Sequence, residues 1–389
     1  MKYKLLLFLL LITQINSQTR EPIFLQKSNS HLTQSTTHQD DLYKWDDFAM
    51  FLAGMPLSKE NKFYQLTQNE TYNKHYHFLN REWNQILLRN IKPIHQWQAI
   101  HIPQYMKQKP VLYLLSGADF VNLYTFFPEA SYYIMIGLEP PGIPSTKLFE
   151  VISIEETLYS IQKLVTEISA RNYFTRRKLE TEMGSIHLPG VTPILLVFMA
   201  RMGLSIDGIY RVQMNALGDI VLQPNQDSSS MSELPRGVSI SFYDPNYKTH
   251  KTLVYLQMSL DPESVTPTSP KGSFFLKQNR FNMLLKAAEY IFHEPKFNGV
   301  LKMIYSKMDL LVQDDSGIPY KMFDNHIWDV QVFGNYMGRI PLPRTPDVPE
   351  QKELKTLFKN NGKPLNFPYG YGILKGQNRS NLMLLIKRK

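Results

Sequence analysis

Acidic residues follow three of the strands that the sequence predicts. Asp119 follows LLSGA, Glu139 follows IMIGL, and Asp314 and Asp315 follow the apolar run LLV and Gln313. Ligand sites in open α/β sheets lie outside the carboxyl ends of the strands, where these residues would meet if the strands are parallel. Converging buried carboxylates would shift one another's pKa and would suit general acid–base catalysis or a hard cation such as Mg²⁺ or Ca²⁺. The four acidic residues are therefore candidate catalytic residues, and a divalent cation is the candidate cofactor.

The same acidic residues also have a purely structural interpretation. The segments Ser-Gly, Glu-Pro-Pro-Gly and Asp-Ser-Gly-Ile-Pro that surround them are typical turn sequences. In such turns a carboxylate accepts hydrogen bonds from nearby backbone N–H groups. The sequence leaves both interpretations open, and the distances between the carboxylates distinguish them.

Polar and aromatic residues near these positions are candidate ligand-binding residues. Asn122 lies just after Asp119, Gln313 precedes the aspartate pair, and Tyr369 and Tyr371 belong to the segment FPYGYG. The glycines of that segment indicate a backbone that another group approaches closely. Aromatic rings beside polar strand ends could line a pocket for a sugar, a peptide or another amphipathic ligand. Because aromatic residues make up 12% of the chain, chance clustering explains the pattern equally well.

Motifs that would name a reaction are absent from the sequence. Ser116 follows a predicted strand, but Leu114 occupies the place of the first glycine of G-x-S-x-G. Neither H-E-x-x-H nor a phosphate-binding G-x-x-x-x-G-K-[ST] segment occurs. The chain has no cysteine, which excludes thiol nucleophiles, disulfides and cysteine metal ligands. The residues therefore identify candidate positions without identifying a reaction.

The N-terminal segment MKYKLLLFLLLITQINS is typical of a secretory signal peptide. Two lysines precede an eight-residue apolar block, and residues 15 and 17 suit signal peptidase. We therefore predict a signal peptide over residues 1–17, a polar disordered leader over 18–40, and one globular α/β domain over 41–389. The block is too short to span a bilayer, and no later segment approaches a membrane span. These features predict an exported protein, periplasmic or secreted, with no transmembrane span after cleavage.

The charge of the chain gives little guidance on partners. The formal net charge is +9, but the basic residues are scattered, and no motif of an RNA- or DNA-binding module occurs. We therefore expect a small-molecule or envelope ligand and no nucleic acid.

The periodicity of apolar residues predicts a mixed α/β fold. Two continuous apolar strands at 111–117 and 131–142 indicate a sheet covered on both faces, and from residue 209 the period changes to two, which predicts antiparallel hairpins. Helical spacing predicts a helical N-terminal cap, a helix from Ser153 to about Met183, and another over residues 279–293. Together these elements predict a single domain with a mixed parallel and antiparallel sheet covered by helices.

Four segments of the chain resemble a group of exported bacterial proteins of unknown function. They are WDDFAMFLAGMP, YLLSGADFVNLYTFFPEASYYIMIGLEPPG, VQDDSGIPYKMF and FPYGYGILKGQNRSNLMLLIKRK. The resemblance implies one unit of fold and a bacterial envelope setting, and it implies no activity, cofactor or catalytic residue. The sequence thus favours a ligand-binding or envelope-maintenance protein, with a periplasmic hydrolase that uses the acidic residues as the alternative.

Overall fold

The computed structural model describes residues 45–143, 153–174, 179, 181–182, 188–223, 234–341, 348–374 and 377–389. The predicted signal peptide and leader lie outside these described residues. Within them, no helix combines the length and the apolar character that crossing a membrane requires.

Helices of the N-terminal region precede the first strand and form the predicted cap. The α-helices of the described chain are α1 (Trp45–Leu52), α2 (Glu70–Ile86), α3 (Lys92–His101), α4 (Gln104–Lys107), α5 (Phe120–Phe126), α6 (Ile154–Arg171), α7 (Thr192–Arg201), α8 (Pro270–Lys277), α9 (Asn298–Lys307) and α10 (Lys352–Asn361). A π-helical turn, Leu87–Ile91, joins α2 to α3.

A ten-stranded sheet organises the described part of the chain. Its strands are β1 (Val111–Leu114), β2 (Tyr132–Gly137), β3 (Ser205–Met214), β4 (Ile220–Leu222), β5 (Arg236–Asp244), β6 (Thr249–Gln257), β7 (Phe281–Leu285), β8 (Met308–Gln313), β9 (Trp328–Gly334) and β12 (Asn381–Lys387). They lie in the order β4-β3-β5-β6-β2-β1-β7-β8-β12-β9. Strands β10 (Ile373–Leu374) and β11 (Gln377–Asn378) pair separately.

Five adjacent strands in the middle of the sheet, β6-β2-β1-β7-β8, are parallel, and antiparallel strands extend both edges. Both faces of this parallel centre are buried. In β1, Val111 and Tyr113 belong to one apolar cluster, and Leu112 and Leu114 belong to another on the opposite face. Parallel strands covered on both faces read as continuous apolar runs, which is why the sequence revealed β1 and β2.

Two predicted helices differ from the structure. The helix predicted over residues 279–293 is wrong, because Phe281–Leu285 forms the central strand β7. Pairing with β1 and β8 there outweighs the helical preference of Leu, Lys and Ala. The helix predicted from Ser153 does begin there, since Glu156 N donates to Ser153 Oγ at 3.4 Å. It ends at Arg171 because Asn172 adopts a left-handed conformation.

Candidate functional site

A cleft opens where the order of the parallel strands reverses. After β1 the chain continues to β2 and β6 on one side, and it later returns to β7 and β8 on the other side of β1. Ligands of open α/β sheets bind outside the carboxyl ends of the strands at such a reversal. The cleft there has a volume of about 720 Å³, open solvent at its mouth included. It is lined by residues that follow β1, β2 and β7, together with Tyr173, Phe174, Leu179 and Tyr371.

A buried ion pair forms the floor of the cleft. Lys286 Nζ lies 2.5 Å from Asp119 Oδ2, and the two side chains are 1% and 2% exposed. Lys286 also donates to the backbone oxygen of Asn172, and the Tyr113 hydroxyl donates to Asp119 at 2.9 Å. Burial lowers the pKa of Lys286, and the charge and hydrogen bond of Asp119 oppose that effect. The pair thus joins the end of β1 to the end of β7.

Glu139 lies at the end of β2 and lines the cleft with Gly137 and Leu138. Its Oε2 accepts hydrogen bonds from Leu138 N at 3.1 Å and from the Tyr255 hydroxyl at 3.3 Å. Its Oε1 has no partner among the described residues, and the side chain is only partly buried. Within the described part of the chain, this carboxylate oxygen is therefore available to a ligand in the cleft.

Unfavourable backbone conformations are concentrated around this cleft. Among the described residues, six non-glycine residues have positive φ, and five of them lie at or beside the cleft: Leu115, Asn172, Ala287, Glu289 and Tyr290. Each such conformation costs on the order of 1 kcal/mol, and such costs are concentrated at ligand and active sites. The loops that follow β1 and β7 thus hold a shape that their local sequence does not favour.

Ala287→Gly should stabilise the protein, because glycine adopts positive φ without the clash that Cβ causes. At Ala287 φ is 53°, so we expect the free energy of unfolding to rise by about 0.5–1 kcal/mol. The matched control is Ala99→Gly, at an exposed position inside α3, which should lower it by about 1 kcal/mol. Urea unfolding of both variants measures these changes. Destabilisation by both substitutions would contradict the strain at residue 287.

Asp314 and Asp315 do not line the cleft and are fully buried beside it. Asp314 Oδ1 accepts from Ala287 N at 3.3 Å and from Ser316 Oγ at 2.8 Å. Asp315 accepts from the Tyr290 hydroxyl at 2.7 Å and from Asn381 Nδ2 at 2.8 Å. Burial raises the pKa of both carboxyl groups, and the charge of Asp315 adds to the effect at Asp314. These contacts hold the loop that follows β7. Of the four acidic candidates, Asp119 and Glu139 therefore line one cleft, whereas Asp314 and Asp315 lie behind it.

The candidate ligand-binding residues divide in the same way. Tyr371 lines the cleft, and its hydroxyl donates to the backbone oxygen of Ala287 at 2.7 Å. Asn122 is buried and donates to Asp119 Oδ1 at 2.8 Å. Tyr369 is also buried, and its hydroxyl donates to the backbone oxygens at the ends of β7 and β8.

Contacts within the protein explain the presence of Gln313 and of Gly370, the first glycine of FPYGYG. Gln313 donates to the backbone oxygen of Ile318 at 2.8 Å and accepts from its N–H at 2.8 Å, which closes the turn after β8. Gly370 has a φ of 62°, and a Cβ there would collide with the Asp314 carboxylate. The close approach predicted for this segment is confirmed at Gly370, and the approaching group is Asp314.

The sequence patterns did not reveal the residues after β7 that line the cleft. Lys286, Glu289 and Ile291 follow β7, which the sequence suggested was a helix. A lysine directly after an apolar run was the available signal. An ionisable residue that follows a strand is a candidate site residue, because ligands bind outside the carboxyl ends of the strands.

The described residues contain no group of three or more histidine, aspartate or glutamate side chains arranged to hold a metal ion. Comparison with protein-family models, curated proteins and solved structures gave no match to this chain.

Proposed function

We propose that the protein binds a nucleoside in the cleft at the strand reversal. The supporting observation is the position of Glu139. In doubly wound sheets that bind nucleotides, an acidic residue about 20 residues after the first glycine-containing turn accepts hydrogen bonds from the ribose. Glu139 lies at that distance from Gly117, at the end of the second strand, and its Oε1 has no partner among the residues that the structure describes. It would accept the ribose hydroxyls.

The charges of the cleft favour a nucleoside without phosphate groups. The described lining includes the carboxylates of Asp119, Glu139 and Glu289 but only one basic residue, Lys286, which is already paired with Asp119. Asp119 also occupies the N-terminus of α5, where its Oδ1 accepts from Asn122 N at 3.2 Å. A pyrophosphate would meet carboxylates where other doubly wound proteins supply N–H groups.

A neutral or positively charged nucleoside suits this lining better. S-adenosylmethionine, whose sulfonium group carries a positive charge, is the probe of choice. The rings of Tyr173, Phe174 and Tyr371 could pack against the base. Tyr173 and Tyr371 contact each other edge to face, with 5.1 Å between their ring centroids. For the ligand-binding role that the sequence favours, we thus propose a nucleoside without phosphate groups as the ligand.

Calorimetric titration tests the proposal. We expect S-adenosylmethionine and adenosine to bind more tightly than NAD⁺ and ATP. Glu139→Gln should weaken the binding of both favoured ligands about 10- to 100-fold, because a hydrogen bond to a charged group contributes about 1.5–3 kcal/mol. The control Asp329→Asn, on β9, should leave binding unchanged. Tighter binding of NAD⁺ or ATP, or equal binding by Glu139→Gln, would refute the proposal.

The hydrolase alternative depends on a carboxylate that a substrate can reach. Asp119, Asp314 and Asp315 are at most 2% exposed, so the alternative is left with Glu139, which is only partly buried. Export remains part of our proposal, which makes the chain a nucleoside-binding protein of the bacterial envelope. The mass of the mature chain tests it, since cleavage after Ser17 removes residues 1–17.

A further inference from the structure

A second cleft lies at the other end of the parallel strands, where their amino ends are. Its volume is about 780 Å³, open solvent included. Asn246 and Tyr247, which line it, belong to the turn between β5 and β6, and this turn precedes the amino end of β6. The nucleoside cleft lies at the carboxyl ends of the same parallel strands, so the two clefts are separate. The other walls of the second cleft come from α2, α5, α7, the π-helical turn and α3, which contributes His95.

Arg201, at the end of α7, is the charged residue of this cleft. Its Nε donates to the backbone oxygen of Ala53 at 2.7 Å, and Nη2 donates to that of Gly54 at 3.0 Å. Nη1 donates to Asn80 Oδ1 at 2.6 Å. A guanidinium has five N–H groups, so one N–H on each terminal nitrogen has no acceptor among the described residues. The three bonds also fix the plane of the guanidinium.

No carboxylate among the described residues pairs with this guanidinium or lines the cleft. Its three acceptors are two backbone carbonyl oxygens and one amide oxygen, which are neutral groups. Terminal N–H groups of this kind are among the donors with which arginine binds a carboxylate. The cleft thus offers a fixed cation with spare donors.

The walls around Arg201 are mostly apolar and aromatic. Trp83, Leu87, Ile91 and Tyr247 contribute to them. Leu87 and Ile91 are the first and last residues of the π-helical turn. Such turns are rare and occur frequently at functional sites, since the wider turn redirects side chains. This is an observation independent of the arginine.

We propose that this second cleft binds a small carboxylate with an apolar or aromatic body, held by the spare N–H groups of Arg201. The body of the ligand would pack against Trp83 and Tyr247, and its carboxylate would supply the negative charge that the lining lacks. This inference does not depend on the nucleoside-binding proposal.

Titration with indole-3-acetate, followed by calorimetry, tests the proposal. We expect saturable binding of indole-3-acetate and at least tenfold weaker binding of indole-3-acetamide, which has the same shape without the charge. Tryptamine, with a positive charge, should not bind. Equal binding of the acid and the amide would overturn the proposal, as would the absence of binding to the acid.

Substitutions locate the binding within the second cleft. Arg201→Gln should abolish it, but this change also removes contacts to the end of α1 and could unfold the chain. Leu87→Glu therefore provides a second variant that leaves the hydrogen bonds of Arg201 intact and places a negative charge in the wall. It should weaken indole-3-acetate binding at least tenfold, whereas Leu87→Gln, the matched neutral control, should weaken it less. Binding that is unchanged in Leu87→Glu would refute the proposed location.

Discussion

Lys286→Met is expected to lower the free energy of unfolding by about 3–5 kcal/mol, as is typical when one partner of a buried ion pair is removed. The substitution leaves the Asp119 carboxylate at the floor of the cleft with hydrogen bonds from Tyr113 and Asn122 but without its cation. Guanidinium unfolding at pH 7 measures the loss.

Two further variants show whether the loss comes from the unpaired charge. Adding Asp119→Asn to Lys286→Met should recover part of the stability, because no buried charge then remains, and the double-mutant cycle gives the interaction energy of the pair. Lys74→Met removes the cation of an exposed pair with Glu70 and should have no measurable effect. A double variant less stable than both single variants would contradict this explanation.

Asp314→Asn should stabilise the protein at pH 8 and have little effect near pH 4. Burial, together with the charge of Asp315, raises the pKa of Asp314 from 3.8 to about 7, although hydrogen bonds from Ser316 and Ala287 oppose this. At pH values between 3.8 and about 7, Asp314 is protonated in the folded state and ionised in the unfolded state. The contribution of Asp314 is therefore fully present below pH 3.8 and is lost as pH rises towards about 7.

The difference between wild type and Asp314→Asn should grow across this window by at most about 1.4 kcal/mol per pH unit and should become constant above it. Urea unfolding from pH 4 to 8 measures both curves. Asp309→Asn is the control of opposite sign. Burial favours the neutral form of Asp309, but hydrogen bonds from Arg280 and Lys109 outweigh burial and lower its pKa. Relative to wild type, Asp309→Asn should therefore become less stable as pH rises from acid. Parallel curves for wild type and Asp314→Asn would contradict the prediction for Asp314.

The sequence predicted the elements whose pattern is set locally. The hairpin β5–β6 has alternating residues on either side of Asp244-Pro245-Asn246, and the helix predicted from Ser153 begins there. The strand β7 was missed because its segment contains good helix formers, and only its neighbours β1 and β8 make it a strand. No local pattern reports pairing with a strand so far away in the sequence.

The same long-range pairing explains which site residues could be predicted. Asp119 and Glu139 follow strands visible in the sequence, and the structure places both at one cleft. Lys286 and Ala287 follow the strand that was missed, so neither the ion pair nor the positive φ of Ala287 was predicted. Whether Asp314 lines the cleft or lies behind it depends on how the loops after β7 and β8 pack, which sequence spacing does not specify.

The pairing of β1 with β7 also has a consequence for how the chain folds. Val111 pairs with Asn282, roughly 170 residues later, and pairings of such long sequence separation are formed slowly. Strands β2 to β6 can assemble on β1 before β7 reaches its place, so an intermediate with half of the sheet would have Glu139 in position but would lack Lys286. We therefore expect the cleft at the strand reversal to form late in folding, and a ligand that needs both of its sides would recognise only chains that have completed folding.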